Sequence, residues 1–586
     1  MAVFRYSTKD LAINNARAFI SSLNAGDVVL YAVLGGESPY ANEPTPVNPP
    51  DNEQYLHFEV MRHMIGGRKI TTEDISHVID RYDWTSGSIY SMYRDTDEDM
   101  YERPFYVMTD EYNVYKCLYN NKGGTSTVKP TGFSTLPFST SDGYTWKYMF
   151  TVSLGDANKF MTSTHIPVKT IKLSDGSVEG NRQLAVQNAA VNGAIEVVET
   201  VQVGAGYYQL ANGVVASGGK FTLQLDSSDD SPPSPIDNYY NGSSVYIKSG
   251  TGAGQLRRII NWEGSSKIMT VNTAFATVCN SDSRVVVSPT VTILGDGKGA
   301  KAYSSVDVST GAISNIAVID TGRSYTRAEA YITANSIHGA GATANVVISP
   351  LGGHGNDPVR ELYGDKVSLN VQFQGNEGVY ANGSGYLPSN TDFRTISILK
   401  NPILKVDENN NHILNERIAN TTNSPLTLNL MTRTQISYLQ MDGSDPVNPL
   451  IPLNEITNER NRLRAEIGEL EFVTELNPTK RANAALVNAV RSANATVVYI
   501  HEDPTETDPS FYIAYINNVE AYGGYAPFTK DDVILKSTSE TKIATIEDIK
   551  GPEANTYSGE ILYTENIQKV TRDPDQIEDI KIVLDF

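Results

Sequence analysis

The residue types that usually carry chemistry are all present in this chain, but they do not assemble into a motif. No His-Glu-x-x-His pair occurs, so the two imidazoles and the carboxylate of a zinc protease are missing. No Gly-x-Ser-x-Gly elbow occurs, and neither Cys117 nor Cys279 has a histidine close in sequence to draw off its proton. Asp95, Asp97, Glu98 and Asp99 form the densest acidic run. That run lacks the glycine at position six and the distal glutamate of a calcium loop, so it reads as a solvated loop. Gly295-Asp296-Gly297-Lys298-Gly299 has the glycines of a phosphate loop but not the spacing to Lys-Ser/Thr. It also leads into a strand pattern, which leaves no helix N-terminus to hold a phosphate, and it reads as a turn. His57, His63 and His77 share the first domain without ligand spacing and read as structural. His501-Glu502-Asp503 follows a strand, where successive side chains face opposite ways and do not converge. Paired carboxylates for glycoside cleavage come from distant strands and leave no local signature to read. The expectation is a chain with no catalytic residues, no metal ligands and no cofactor.

Bulk properties narrow the classes further. An excess of 68 acidic over 47 basic residues gives a net charge of −21, which repels phosphate backbones, and no basic patch offsets it. Nucleic acid is therefore not an expected partner. The 33 tyrosines, against 16 phenylalanines and 3 tryptophans, suit half-buried strands and protein interfaces, since each offers an apolar face and a hydroxyl. Two distant cysteines make neither a disulfide framework nor a zinc site, and both are expected to be reduced core residues. The opening residues have no apolar core of a signal peptide, and no window approaches eighteen apolar residues, so neither export nor membrane insertion is expected.

A length of 586 residues exceeds one hydrophobic core and predicts several domains. Ser7 or Thr8 can cap a helix that ends at Ala25-Gly26, and Val28–Leu34 then reads as a buried strand stopped by Gly35-Gly36. Strands are predicted at Tyr106–Met108, Val114–Leu118 and Tyr144–Val152. Residues 1–178 thus form the N-terminal part of a core domain. The centre carries an internal repeat: Gly193-Ala194-Ile195 leads to Gly204-Ala205-Gly206-Tyr207, and Gly311-Ala312-Ile313 leads to Gly322-Arg323-Ser324-Tyr325 at the same spacing. Each unit should continue to a Gly-Ala-x-Ala turn. The second does so at Gly341–Ala344, and the first only at Gly299–Ala302, after an insertion. Residues 179–209 and 289–390 are therefore read as the repeated β unit, and 210–288 as an inserted antiparallel barrel or sandwich. Residues 391–452 and 497–586 supply the C-terminal part of the core with its closing strands. Helical spacing of Leu453, Ile456, Leu463, Ile467 and Leu470, then of Ala482, Leu486 and Val490 after Asn477-Pro478, predicts a helical hairpin over 453–496. The fold class is mainly β and multidomain.

Three groups of residues carry a resemblance. Ala18-Phe19, Val28–Leu34 and Gly35-Gly36-Glu37-Ser38-Pro39 form the first. Arg81-Tyr82-Asp83-Trp84, Val114-Tyr115-Lys116-Cys117-Leu118 and Asp142-Gly143-Tyr144-Thr145-Trp146-Lys147-Tyr148-Met149-Phe150 form the second. The third is Phe393–Pro402, followed by Ser558-Gly559-Glu560-Ile561-Leu562-Tyr563-Thr564-Glu565-Asn566 and the tail from Gln576 to Phe586. In this order they resemble the baseplate wedge subunit of T-even-type contractile phages, the gene product eight family. The likeness covers about 1–175, 392–405 and 555–586; the central repeats and the helical stretch depart from the family pattern.

The resemblance implies a β-sandwich core with flanking helices, a homodimer within each of six wedges, and other wedge subunits as neighbours in the virion baseplate. It implies no catalytic residues. Trp84, Asp142, Gly143, Tyr144, Trp146, Gly559, Glu560, Tyr563 and Phe586 are the motif residues, and their types suit core and turn positions. An alternative reading is a tail-fibre or tailspike-like protein that binds or cleaves host polysaccharide, with Tyr207, Tyr208, Tyr239, Tyr240 and Trp262 of the central modules as an aromatic platform.

Overall fold

The computed structural model describes residues 8–36, 40–43, 45–227, 232–334, 339–374, 392–403, 555, 558–573 and 575–586. It also gives the backbone of six strands between 434 and 550. The protein is mainly β and multidomain, as its composition and punctuation predict. It divides into two compact units: residues 1–14, 77–366 and 586 in one, residues 15–76 and 367–585 in the other.

The first unit opens on an antiparallel sheet of Tyr106–Met108, Asn113–Asn120, Tyr144–Thr151 and Phe138–Ser139. Its core is aromatic: Phe105, Tyr115, Tyr144, Trp146 and Tyr148 are each buried, and Tyr144 stacks on Trp146 at 5.3 Å. Helix Val178–Ala189 starts where the Ser177 hydroxyl accepts from the Gly180 N–H, and it buries Val186 in the same core. The sequence periodicity did not announce this helix, because its apolar stripe is narrow.

The repeated unit forms a six-stranded sheet, in the order Ala312–Asp320, Lys301–Asp307, Thr290–Gly295, Ala328–Thr333, Ala340–Ile348 and Ile195–Ala205. Read by repeat, each unit's opening strand pairs with the other unit's closing strand. Reciprocal contacts lock the exchange. Tyr325 N–H donates to the Gly193 carbonyl at 3.1 Å, and Tyr207 N–H to the Gly311 carbonyl at 2.8 Å. The Tyr207 hydroxyl accepts from Ala342 N–H at 3.1 Å, and the Tyr325 hydroxyl from Ala300 N–H at 3.3 Å. Gly193 and Gly311 have φ of +63° and +67°, and a Cβ on Gly193 would lie 2.4 Å from Tyr325 N. Glycine is required there both by conformation and by space. Within the sheet, Lys301–Asp307 alternates cleanly, with Ala302, Ser304 and Val306 inward.

A closed barrel occupies Leu210–Ser288, in the order Leu210–Gly218, Thr222–Leu225, Ile268–Val271, Leu256–Glu263, Ser244–Ser249 and Arg284–Ser288. Its first and last strands are neighbours, Leu210 pairing with Val287, so the module leaves and rejoins the repeat sheet at one place. The Ser244 and Thr290 hydroxyls share a hydrogen bond of 2.7 Å, and Tyr246 stacks on Tyr303 at 4.6 Å, fixing barrel to sheet.

The second unit contains an antiparallel sheet in the order Met64–Ile70, Leu30–Gly35, Asp392–Lys400 and Glu560–Thr571. Every residue of Leu30–Gly35 is buried, as its unbroken apolar run implies. Helix Glu53–Arg62, capped by Asn52, follows a proline-rich strap. Its short pattern gave no warning of it in the sequence. The strap is tied down: the Tyr40 hydroxyl lies 2.9 Å from the Arg394 carbonyl, and Asn566 Nδ2 donates to the Val47 carbonyl at 2.8 Å. A second sheet has the order Phe472–Glu475, Val533–Lys536, Lys542–Lys550, Thr434–Gln440, Phe511–Ala521 and Ala493–Glu502. The two helices expected over 453–496 lie outside the described residues. What is described there is strand Phe472–Glu475 at the expected break between them, and strand again from Ala493.

Candidate functional site

Among the described residues, the strongest convergence of ionisable groups lies inside the first unit. Lys116 and Lys147 are register partners on the paired strands Asn113–Asn120 and Tyr144–Thr151, and both are buried. Two like charges opposite each other in a core need compensation. Glu361 supplies part of it. Its Oε2 lies 3.1 Å from Lys116 Nζ, while its Oε1 accepts from Gly355 N–H at 2.7 Å and Asp357 N–H at 3.2 Å. Lys116 Nζ also sits 3.9 Å from the centre of the Tyr93 ring, and Lys147 Nζ donates to the Thr135 carbonyl at 2.6 Å. Glu196, on strand Ile195–Ala205, and His354, on the turn before Glu361, complete the group. His354 Nε2 is 3.8 Å from Glu196 Oε2, and its Nδ1 is 3.9 Å from Glu361 Oε2. These separations exceed hydrogen-bond length, and Glu196 Oε2 and His354 Nδ1 have no hydrogen-bond partner among the described residues.

Burial dominates the electrostatics. It pulls the Lys116 and Lys147 ammonium groups below their ordinary value, against the pull of the two glutamates. Burial, then the two lysines, hold the His354 imidazole well below 6.5. Burial pushes the Glu196 carboxyl up, with both lysines opposing. The arrangement is a buried clasp of two lysines, two glutamates and an imidazole. It pins the first sheet to the 354–361 turn through Lys116 and Glu361, with Glu196 of the repeat sheet beside His354. With Lys116 and Glu361 at 0% and 2% side-chain exposure, it offers no surface on which a substrate could sit. Sequence reading missed it because Lys116 and Glu361 are 245 positions apart. The available signal was a lysine inside each of two otherwise apolar strand runs, Val-Tyr-Lys-Cys-Leu and Trp-Lys-Tyr-Met-Phe.

The motif residues fall into two groups. In the first unit, Trp84 Nε1 donates to Ser126 Oγ at 3.1 Å, and that hydroxyl lies 3.4 Å from the Asp142 carboxylate. Asp142 also accepts from the N–H groups of Thr127 at 2.8 Å and Val128 at 2.9 Å. Burial pushes its carboxyl up, but hydrogen bonds from Thr140, Val128, Thr127 and Tyr144 outweigh that and hold it low. Gly143 has φ +85°, which the turn needs, and the Tyr144 hydroxyl donates to the Gly124 carbonyl at 2.6 Å. These residues build a turn and a core. In the second unit, Gly559 at φ +87° packs against Leu399, Glu560 pairs with Lys400 at 2.8 Å, and Tyr563 is half-buried beside Ile398 in register. Phe586, which belongs to the first unit, is half-buried.

Cys117 and Cys279 are both buried free thiols. The turn at Gly295–Gly299 packs on the Tyr325 ring, and Asp296 accepts from the Thr326 and Arg327 N–H groups, so it is a repeat turn. Among the described residues no three His, Cys, Asp or Glu side chains converge for a metal. No described helix is long and apolar enough to cross a membrane. The expected aromatic platform is overturned: Tyr207, Tyr240 and Trp262 are core residues at 6%, 2% and 1% exposure, and only Tyr208 is exposed. Their hydroxyl and indole groups find internal partners, Tyr240 accepting from Ser234 N–H and Trp262 Nε1 donating to the Ser234 carbonyl. Residues 503–510 lie outside the described residues, and of His501-Glu502 only the backbone strand is described. Compared with known proteins, the chain matches no protein-family model and no curated sequence.

Proposed function

We propose that this chain is a non-enzymatic structural subunit of the baseplate wedge of a contractile phage tail, acting through protein–protein interfaces in a sixfold assembly. One observation carries the reading. The resemblance rests on stretches hundreds of residues apart in sequence, and three of them are hydrogen-bonded neighbours in one sheet. Leu30 pairs with Lys400, and Lys400 pairs with Glu560. Val114–Leu118 and Tyr144–Phe150 likewise lie on paired strands of another sheet. The pairing of these distant stretches within a sheet supports reading them as parts of a shared scaffold. The tyrosine-rich, acidic composition and the buried pairing of Lys116 with Glu361 fit the same role.

The proposed partners are other wedge subunits and a second copy of the chain. The test is to label the protein in purified virions and image them. Gold label at the baseplate is the expected result, and virions without this polypeptide would remove the proposal. Light scattering on the isolated chain should return a dimer; a monomer at high concentration would remove the homodimer.

A further inference from the structure

The second unit contains a cavity of about 350 Å³ between the strap at Val47–Pro50, helix Glu53–Arg62 and one face of the Leu30–Gly35 sheet. A sheet face under a helix is normally apolar, because burying hydroxyls and amides costs free energy unless they find partners. Here the floor is mixed: Val33 lies beside Ser397, and Leu56 and Val60 line the cavity from the helix, but the other side chains of the sheet face are polar. Ser397 pairs in register with Thr564, and Thr395 with Asn566, so four side chains tile one face two by two. The Thr564 and Ser397 hydroxyls are 3.1 Å apart, and the Thr395 hydroxyl donates to Asn566 Oδ1 at 3.0 Å. The ties of Tyr40 and Asn566 to their carbonyl partners hold the strap in place, so the cavity is pre-formed.

The walls restrict what could enter. Glu59 lines the cavity, with His63 3.6 Å away, and among the described residues neither lysine nor arginine lines it. That set repels phosphates and other anions. The Thr564 hydroxyl and the Asn566 amide beside Val33, Leu56 and Val60 give the cavity both polar and apolar lining, which suits an amphipathic ligand. The Tyr55 ring, 53% exposed, stands at the rim with Phe58 stacked beside it at 6.4 Å. A compact ligand rich in hydroxyls, uncharged, and with an apolar face for an aromatic ring satisfies all of these. The volume lies near the lower end of the roughly 300–1,000 Å³ typical of small-molecule sites.

We infer that this cavity is a binding site for a neutral saccharide ring, either a free sugar or the end of a glycan chain. Glu59 accepts from its hydroxyls, Thr564 and Asn566 meet an opposite edge, and Tyr55 covers a ring face. Among the described residues one carboxylate lines the site, and binding alone is inferred for it. The site is independent of the barrel aromatics and of the baseplate proposal.

The test uses the full chain. Saturation-transfer NMR and calorimetry with D-glucose, D-galactose, D-mannose, N-acetyl-D-glucosamine and maltose should find at least one ligand of roughly millimolar affinity or better. Glu59→Gln and Tyr55→Ala, both on a partly exposed helix face, should each weaken it about tenfold or more while leaving the melting temperature unchanged. Tyr208→Ala in the barrel should leave it unaltered. Binding of maltose better than its monosaccharide would mark a glycan-chain end, and the reverse a free sugar. Silence of the whole panel, binding indifferent to both variants, or capture of inorganic phosphate or N-acetyl-lysine amide in place of sugar would each overturn the inference.

Discussion

Lys116 has its charge buried at 0% exposure against Glu361, and removing one partner of such a pair leaves the other uncompensated. Glu361→Gln should therefore lower unfolding stability by about 3–5 kcal/mol in denaturant titration. Replacing both members with methionine should cost much less, because no bare charge remains. His354 gives the clasp a pH dependence. Burial and the lysines hold its imidazole well below 6.5, so the unfolded chain takes up that proton before the folded one does as the pH falls. Its contribution to stability is intact above about pH 6.5 and lost below it. Glu196 acts in the opposite sense: its raised carboxyl favours the folded state at low pH and loses that contribution as the pH rises above its ordinary value. His354→Gln should accordingly shrink the stability lost between about pH 7 and pH 5, as read by denaturant midpoints at each pH. An unchanged or steeper loss would show that the imidazole is not the group responsible. Asp142, by contrast, was legible as a turn residue because Asp-Gly before a strand has a local cause, whereas the clasp has none.

At the level of elements, glycines carried the most readable information. Gly193 and Gly311 occupy positive-φ positions that only glycine fills cheaply, and they lie against the backbone of the other repeat. Repeated requirements of that kind leave repeated letters in the sequence. Gly193→Ala should cost about 1–3 kcal/mol in a thermal melt, and more than Gly311→Ala, because an added methyl would meet backbone at 2.4 Å in the first and 2.9 Å in the second. Equal melting temperatures for the two variants would contradict the packing. The pairing itself was not legible. Nothing in either repeat says that its opening strand will take the other's closing strand, since that choice is made by the whole sheet. Helices Glu53–Arg62 and Val178–Ala189 were missed for a related reason. Each buries only two or three residues, so tertiary contact fixes it more than its own periodicity does.

For the molecule as a whole, the barrel at Leu210–Ser288 behaves as an insertion in geometry as well as in sequence. Because Leu210 and Val287 are paired, a short Gly-Ser linker can replace residues 211–286 without stretching the repeat sheet. The shortened chain should unfold cooperatively and lose only about 1–3 kcal/mol, chiefly from the Tyr246–Tyr303 stack and the Ser244–Thr290 hydrogen bond. Loss of the cooperative transition in calorimetry would show that the barrel is instead required by the sheet. The barrel's borders were readable because punctuation by glycine, asparagine and proline marks where the repeat is interrupted. The clustering of Leu30–Gly35 with Asp392–Lys400 was readable only through resemblance, since the strand itself carries no sign of so distant a partner.

That distance has a consequence in time. A ribosome making this chain releases Leu30–Gly35 some 360 residues before its neighbour Asp392–Lys400, an interval of roughly 20–70 s at about 5–20 residues per second. Throughout it, a wholly apolar strand has only the Met64–Ile70 strand on one flank and an open edge on the other. The nascent protein should therefore need a chaperone during synthesis far more than the finished one does afterwards.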